Sequence, residues 1–340
     1  MKSISYDIDP KGDIELILVK PNKQNIVPEN LHCPDDPQAQ EFPNPPCLGR
    51  YQVLGELYAN GENAPDVEVR MRVSSRHLTF ASRTFRAMLE GPWKEGDSSL
   101  GPVRQISAKD WDAFALAIVM DSIHGRHDGI PTQITDGLLA RIATIVEYYE
   151  CREATHFNYQ VWAHGKALPS ELCNATLLWL HISWVFHDEN RFRIAARLFL
   201  RFSKGMSHFE THELPVGGVL NFLDSKRRIL INKVLEAIGF LHETLVIERG
   251  CPGRLDLDCT AIMLGVLVRE MRNIACLDPP LNASFDGHSL NNMLSMVNSF
   301  YVPGSPYDEE YPCTIQGRLM PVLKEIEKAV DGVCLADLQS

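Results

Sequence analysis

No stretch of the 340-residue chain is apolar for the roughly 20 residues that a bilayer-spanning helix needs. The longest mostly apolar run, 175–186, is interrupted by Thr176, His181 and Ser183, so no membrane span is expected. Basic residues are also in short supply. Lys and Arg number 33 against 44 Asp and Glu, a net charge of −11. Such a chain repels phosphate backbones overall, which argues against direct nucleic-acid binding. Paired knuckle cysteines are missing too. Cys33, Cys47, Cys151, Cys173, Cys251, Cys259, Cys276, Cys313 and Cys334 include no Cys-x-x-Cys, and Cys251 and Cys259 stand too far apart for a metal knuckle. The opening residues carry Lys2, Asp7, Asp9, Pro10 and Lys11 without the apolar run of a signal peptide. The thiols are therefore expected to be reduced, in the cytoplasm or nucleus, and the chain not to be secreted. On that expectation the sequons at Asn174 and Asn282 are chance matches.

Catalytic patterns are equally sparse. Neither glycine-rich phosphate loop occurs, and Gly217-Gly218 reads as a turn. Gly-x-Ser-x-Gly is absent. His208 and His212 stand four apart, but the glutamate between them is not where a zinc protease needs it; they read as surface or loop residues. No motif orders a nucleophile, a base or a metal set, so catalytic residues, metal and cofactor are all expected to be none.

What is present is an ordinary globular balance, 45% hydrophobic and 23% charged, in a chain long enough for two domains. Residues 13–19 alternate at Ile14, Leu16 and Leu18 and read as a strand. Seven prolines between 21 and 46 then argue for a loop over about 20–50. Asn60-Gly61 is a hairpin signal. The segment 67–73 alternates Val67, Val69, Met71 and Val73 against Glu68, Arg70 and Arg72, the pattern of a half-buried strand. Two short helices follow: the first capped by Ser74 or Ser75, the second over 82–89 with Phe85, Met88 and Leu89 inward and Gly91-Pro92 as its stop. A short strand is predicted over 103–106. Ser107 to Asp110 resembles a capping box opening a helix striped by Trp111, Phe114, Ala115, Ile118 and Ser122. Residues 138–150 form the next helix, with Leu138, Ile142, Ile145, Val146 and Tyr149 inward. Beyond about 155 the periodicity is helical almost throughout, with a fully buried helix over 177–186.

At this point particular words stand out. Val73-Ser-Ser-Arg-His-Leu78, Ala81-Ser-Arg-Thr-Phe-Arg-Ala-Met-Leu89 and Trp93-Lys-Glu-Gly96 resemble the core signature of BTB/POZ domains. Ile123-His-Gly-Arg126 and the Tyr-Tyr-Glu-Cys ending at Cys151 are similar to the fungal branch of that family. The words Cys259-Thr-Ala-Ile-Met-Leu-Gly265, Arg269-Glu-Met-Arg272 and Asp278-Pro-Pro280 look like its downstream helical region. The resemblance implies an α+β chain: a BTB/POZ-like α/β domain over 1–155, with a small sheet, a helical cluster and a proline-rich insertion at about 20–50, then a mostly α-helical extension over 156–340. It implies a protein–protein adaptor that holds a client and engages protein partners, a cullin scaffold of ubiquitin ligases among them. The alternative it offers is a nuclear transcription regulator, for example of a metabolite gene cluster, acting through partner proteins. A homo-oligomer fits the family. The swapped dimer is not expected, because only twelve residues precede Asp13 and Pro10 and Gly12 are among them.

Two candidate surfaces follow. In cullin adaptors of this family, the loop after the second short helix carries a large apolar residue followed two places on by glutamate. Trp93 and Glu95 occupy that position: an aromatic anchor with a carboxylate to fix register, or a tryptophan packed on its own domain beside a solvated glutamate. The second surface is basic. Arg193, Arg197 and Arg201 are four apart on one helix face, either a site for an acidic partner or a solvated face beside Phe192, Phe199 and Phe202. Lys226-Arg-Arg228 reads as the start of a helix rather than as a localisation signal.

Overall fold

A computed structural model describes residues 2–27, 49–59, 67–91, 103–250, 257–273, 284–302 and 314–338. The architecture is α+β, and no described helix is long and apolar enough to cross a membrane. Contacts divide the chain into two compact units, Met1–Phe192 with Thr211–Val216, and Arg193–Glu210 with Gly217–Ser340.

The first unit is built on a four-stranded mixed sheet of order β1-β3-β2-β4. Its strands are β1 (Lys2–Asp7), β2 (Ile14–Val19), β3 (Val67–Val73) and β4 (Arg104–Lys109). β2 runs antiparallel to β3 and parallel to β4, and β1 runs parallel to β3. Alternation sorts the faces: Ile4, Tyr6, Ile14, Leu16, Leu18, Val69, Met71, Val73, Ile106 and Ala108 are all buried. On the opposite face Arg70 reaches Glu68 at 2.7 Å and Glu15 at 3.0 Å, an ion-pair ladder of small energetic value at this exposure.

β1 corrects the reading of the first twelve residues, which recognised no element there. Ile4 and Tyr6 do alternate inward, but Ser3, Ser5 and Asp7 around them dilute the signal. The chain then turns at Gly12, where a Cβ would lie 2.3 Å from the Val73 carbonyl oxygen. The proline-rich stretch is corrected in part. Its residues 28–48 lie outside the described set, as does Asn60-Gly61. Asn22 accepts from the Ala113 N–H, and Gly49–Leu54 forms a 3-10 turn that leads to α1 (Glu56–Ala59).

α2 (Ser75–Ala81) and α3 (Arg83–Glu90) form the short helical pair. Ser82 caps α3 by accepting from the Phe85 N–H. The capping box at 107–110 is overturned. Ser107 to Lys109 complete β4, Ala108 pairing with Leu18, and Asp110 turns at a φ of 67°. The helix α4 (Ala113–Ile123) is capped instead by Asp112, which accepts from the Ala115 N–H at 2.8 Å. Every residue of α4 is buried, so it is a central helix rather than an amphipathic one. α5 (Asp136–Tyr148) and α6 (Arg152–Ala163) pack against it, and α7 (Asn174–Phe186) packs against α5 and α6. The first unit therefore runs past 155 to Phe192, inside α8 (Glu189–Phe202), and takes in Thr211–Val216 as well.

One thiol departs from expectation. Cys173, which precedes α7, is disulfide-bonded, and its partner lies outside the described residues. The reduced reading of all nine cysteines is therefore wrong at this position.

The second unit is helical: α9 (Gly217–Ile247), α10 (Leu257–Asn273), α11 (Leu290–Asn298) and α12 (Ile315–Asp331). α9 packs against the other three. Gly217 and Gly218 open this 31-residue helix instead of forming a turn. Lys226-Arg-Arg228 accordingly sits well inside it. Arg227 is fully buried. Its Nε donates to Asp224, and its two terminal nitrogens donate to the carbonyls of Ser284, Phe285 and His288 at 3.0, 3.2 and 2.7 Å. Those carbonyls converge because the loop turns twice through positive φ, at Phe285 and Gly287. Gly205 closes the knot, since a Cβ there would lie 2.5 Å from an Asp286 carboxylate oxygen.

Candidate functional site

Trp93 and Glu95 lie outside the described residues. The arginine face is described, and it is spent internally. Arg197 pairs with Asp331 at 3.2 Å, and Arg201 pairs with Glu327. Residues four apart on α8 thus meet residues four apart on α12, running in opposite directions. Arg193 is engaged as well. The other short basic cluster is similarly occupied: Lys226 reaches Asp337 at 3.5 Å and Arg228 reaches Asp224 at 3.2 Å.

The feature that sequence reasoning missed is an open groove of about 580 Å³ in the first unit. One wall is the junction of α2 and α3, with Phe80, Ser82, Arg83 and Arg86. The other is formed where α5 passes into α6 and where α7 ends, with Glu147, Glu150, Arg152, Glu153, Trp184 and His187. The walls are fixed from beneath. Ser82 Oγ donates to the Tyr149 carbonyl and Thr84 Oγ to that of Tyr148. Phe85 stacks on Tyr149 with centroids 4.2 Å apart and planes within 8°.

Both far corners are helix ends of one kind. After α5, Glu150 adopts a φ of 50°, its N–H bonds to the Glu147 carbonyl, and Cys151 N–H bonds to that of Val146. After α7, His187 adopts a φ of 55°, with Asp188 N–H bonded to the Ser183 carbonyl. These are left-handed helix caps, normally given to glycine. Here they hold a carboxylate and an imidazole at the groove edge, and each costs roughly 1 kcal/mol of backbone strain. Glu150→Gly is therefore expected to raise stability by about 1 kcal/mol, read as a higher urea midpoint at unchanged slope.

The groove is chemically mixed. Phe80 is 89% exposed, and Trp184 is half-buried. Partial desolvation by the groove walls pushes the carboxyl of the exposed Glu147 above the ordinary carboxylate range, and the neighbouring Trp184 opposes that shift. Arg83, Arg152, Glu150 and Glu153 make no ion pair among the described residues. Exposed aromatic surface beside unspent charges of both signs suits a polypeptide partner, which offers both apolar side chains and charges.

No group of three or more His, Cys, Asp and Glu side chains that could hold a metal occurs among the described residues. His208 and His212 are both exposed. Cys151 is buried, which pushes its thiol up to about 12 and keeps it far from a nucleophilic thiolate. One buried polar cluster of the first unit is a tether. Asp121 accepts from Tyr6 at 2.6 Å and Tyr51 at 2.9 Å and pairs with Arg50 at 3.0 Å. It ties β1 and the 3-10 turn to α4, out of reach of solvent. Compared with family models, with curated proteins and with solved structures, the chain has no match.

Proposed function

We propose that this chain is a non-catalytic interaction protein of the BTB/POZ type, an adaptor that recruits protein partners through its first unit. The observation that carries the reading is the order of elements in that unit. An antiparallel pair, β2 and β3, is followed by two short helices, a strand β4 returning parallel beside β2, and the helices α4 and α5. Of the words that resemble the family, 73–78, 81–89, 123–126 and the ending at Cys151 fall on or at the ends of these elements, and 93–96 lies outside the described residues. The groove at α2, α3, α5 and α7 supports the partner-binding side of the reading, since it exposes aromatic surface with no described segment over Phe80.

In its sharp form the adaptor joins a client to a cullin scaffold through Trp93 and Glu95. Purified scaffold is expected to retain the full-length chain at micromolar concentration. Trp93→Ala combined with Glu95→Lys should weaken retention by roughly tenfold or more, as loss of an interface anchor does. Phe80→Asp reports separately on the groove. A folded wild-type chain that passes over the scaffold unretained refutes the cullin form, and an unaffected Trp93/Glu95 variant refutes the anchor.

A further inference from the structure

The outer face of α9 carries a pattern that the core does not explain. Its inner face buries Leu220, Leu223, Leu230, Ile231, Val234, Ile238, Leu241 and Leu245. Directly opposite, spaced alternately four and three apart, stand Phe222, Lys226, Ile229, Lys233, Glu236, Phe240, Glu243 and Ile247. This is the spacing by which two helices lie along one another in a left-handed seam. Ile229 is 58% exposed, Phe240 75% and Ile247 78%. Phe222 and Lys226 are half-buried, Lys226 lying over the Phe222 ring, so the exposed part of the seam runs from Ile229 to Ile247, about 27 Å at 1.5 Å per residue.

The order of the charges selects the partner. Both lysines lie in the N-terminal half and both glutamates in the C-terminal half. A parallel copy would set lysine on lysine and glutamate on glutamate. An antiparallel copy, related by a two-fold axis passing between residues 234 and 235, sets Phe222 against Ile247 and Ile229 against Phe240. It also sets Lys226 against Glu243 and Lys233 against Glu236. All eight positions find a complementary residue at a single register. A seam that complements itself in shape and charge is the signature of an isologous contact.

We propose that α9 is a homodimerisation surface on which a second copy of this chain docks antiparallel, with Lys233 and Glu236 as its central ion pairs. The surface is independent of the adaptor reading. The central pairs carry the specificity. Among the described residues, Lys233 makes no ion pair and Glu236 accepts from Asn232 alone. The outer pair contributes less, because Lys226 already reaches Asp337 and Glu243 lies beside His242.

The test is sedimentation of the full-length chain across a concentration series, with circular dichroism to show that each variant folds. Wild type is expected to sediment at twice its 38.3 kDa mass in the micromolar range. Lys233→Glu alone and Glu236→Lys alone each set like charges together and should weaken association by about tenfold or more. The double variant exchanges the two charges and should recover it. Mixing the two single variants should also recover it, as a heterodimer, because one presents two glutamates and the other two lysines. Phe240→Asp should leave a folded monomer. A wild-type monomer at 100 μM (an arbitrary high concentration, about tenfold above the expected range) overturns the proposal. So does a dimer indifferent to both charge reversals, or a mixture of the single variants that fails to recover.

Discussion

Replacing Arg227 with methionine is expected to remove about 3–5 kcal/mol of stability from the second unit, the range found when one partner of a buried charged network is deleted. Methionine matches the aliphatic stem but supplies no donors. Three carbonyls, of Ser284, Phe285 and His288, lose their partner, that of Phe285 in a buried bond and the other two in partly buried ones. A buried acceptor left unsatisfied costs about 1–3 kcal/mol, so the loop contributes most of the loss. Asp224 is cushioned, since Arg228 remains 3.2 Å away. Arg227→Lys should recover only part of the stability, because a single ammonium cannot present the planar fork that reaches carbonyls on two sides. Hydrogen exchange gives the local readout. Protection should fall first at α11 and at Gly287, whose N–H bonds to the Lys204 carbonyl. Unchanged protection there, with an unchanged unfolding midpoint, would show that the guanidinium does not hold this loop.

The site of that prediction was hidden in the sequence. Lys226-Arg-Arg228 reads as a cationic cluster, and nothing in the triplet says that its middle member points inward. Only the phase of α9 says so: Arg227 falls on the stripe of Leu223, Leu230, Ile231 and Val234. The phase was legible, but a charged residue on an apolar stripe is discounted unless its partners are known, and they lie about sixty residues downstream. The arginine face of α8 went the same way. Spacing placed Arg197 and Arg201 on one line, and the acids that neutralise them wait on α12. Charge pairing between distant elements is a tertiary fact, so local spacing announces the cations and not their destinations.

Elements whose apolar pattern is strong were legible. β3 alternates cleanly, α5 repeats at helical spacing, and the apolar run of α7 is a buried helix as its composition demands. Where polar residues carry the pattern, the signal failed. β1 is built from Ile4 and Tyr6 among Ser3, Ser5 and Asp7. At 107–110, a serine followed three places on by aspartate imitates a helix start, yet Ala108 completes a strand because Leu18 awaits it. The groove was illegible for another reason. Its corners at Glu150 and His187 require left-handed backbone, and neither residue type signals that conformation as glycine does.

Acidification should destabilise the first unit through two histidines that the fold holds neutral. His124 Nδ1 donates to the Met120 carbonyl at 2.7 Å, so its Nε2 must accept from the Ser74 N–H at 2.9 Å. Burial lowers its pKa to about 4; protonation would lose the Ser74 bond as well. His181 is buried completely, which lowers its pKa to about 3. Its Nε2 meets Thr144 Oγ at 3.1 Å, and that hydroxyl donates to the Ala140 carbonyl. The ring proton therefore sits on Nε2, and Nδ1 is left with no donor or acceptor beside it. A histidine whose folded pKa is depressed binds its proton more readily in the unfolded chain. Its contribution is full above the unfolded pKa near 6.5 and is lost as pH falls towards the folded value. For His124 that loss is roughly 3 kcal/mol by pH 4, and for His181 it is of the same order. Asp121 and Glu147 run the other way, because desolvation raises both carboxyls and their protonation in acid relieves a cost. The histidine share is isolated by difference. His181→Leu and His124→Leu should each start less stable at pH 7.5, having lost a hydrogen bond, yet lose less stability on the way to pH 4. Urea midpoints measured across that interval give the slopes. A variant whose slope matches wild type would show that its imidazole is not what the acid attacks.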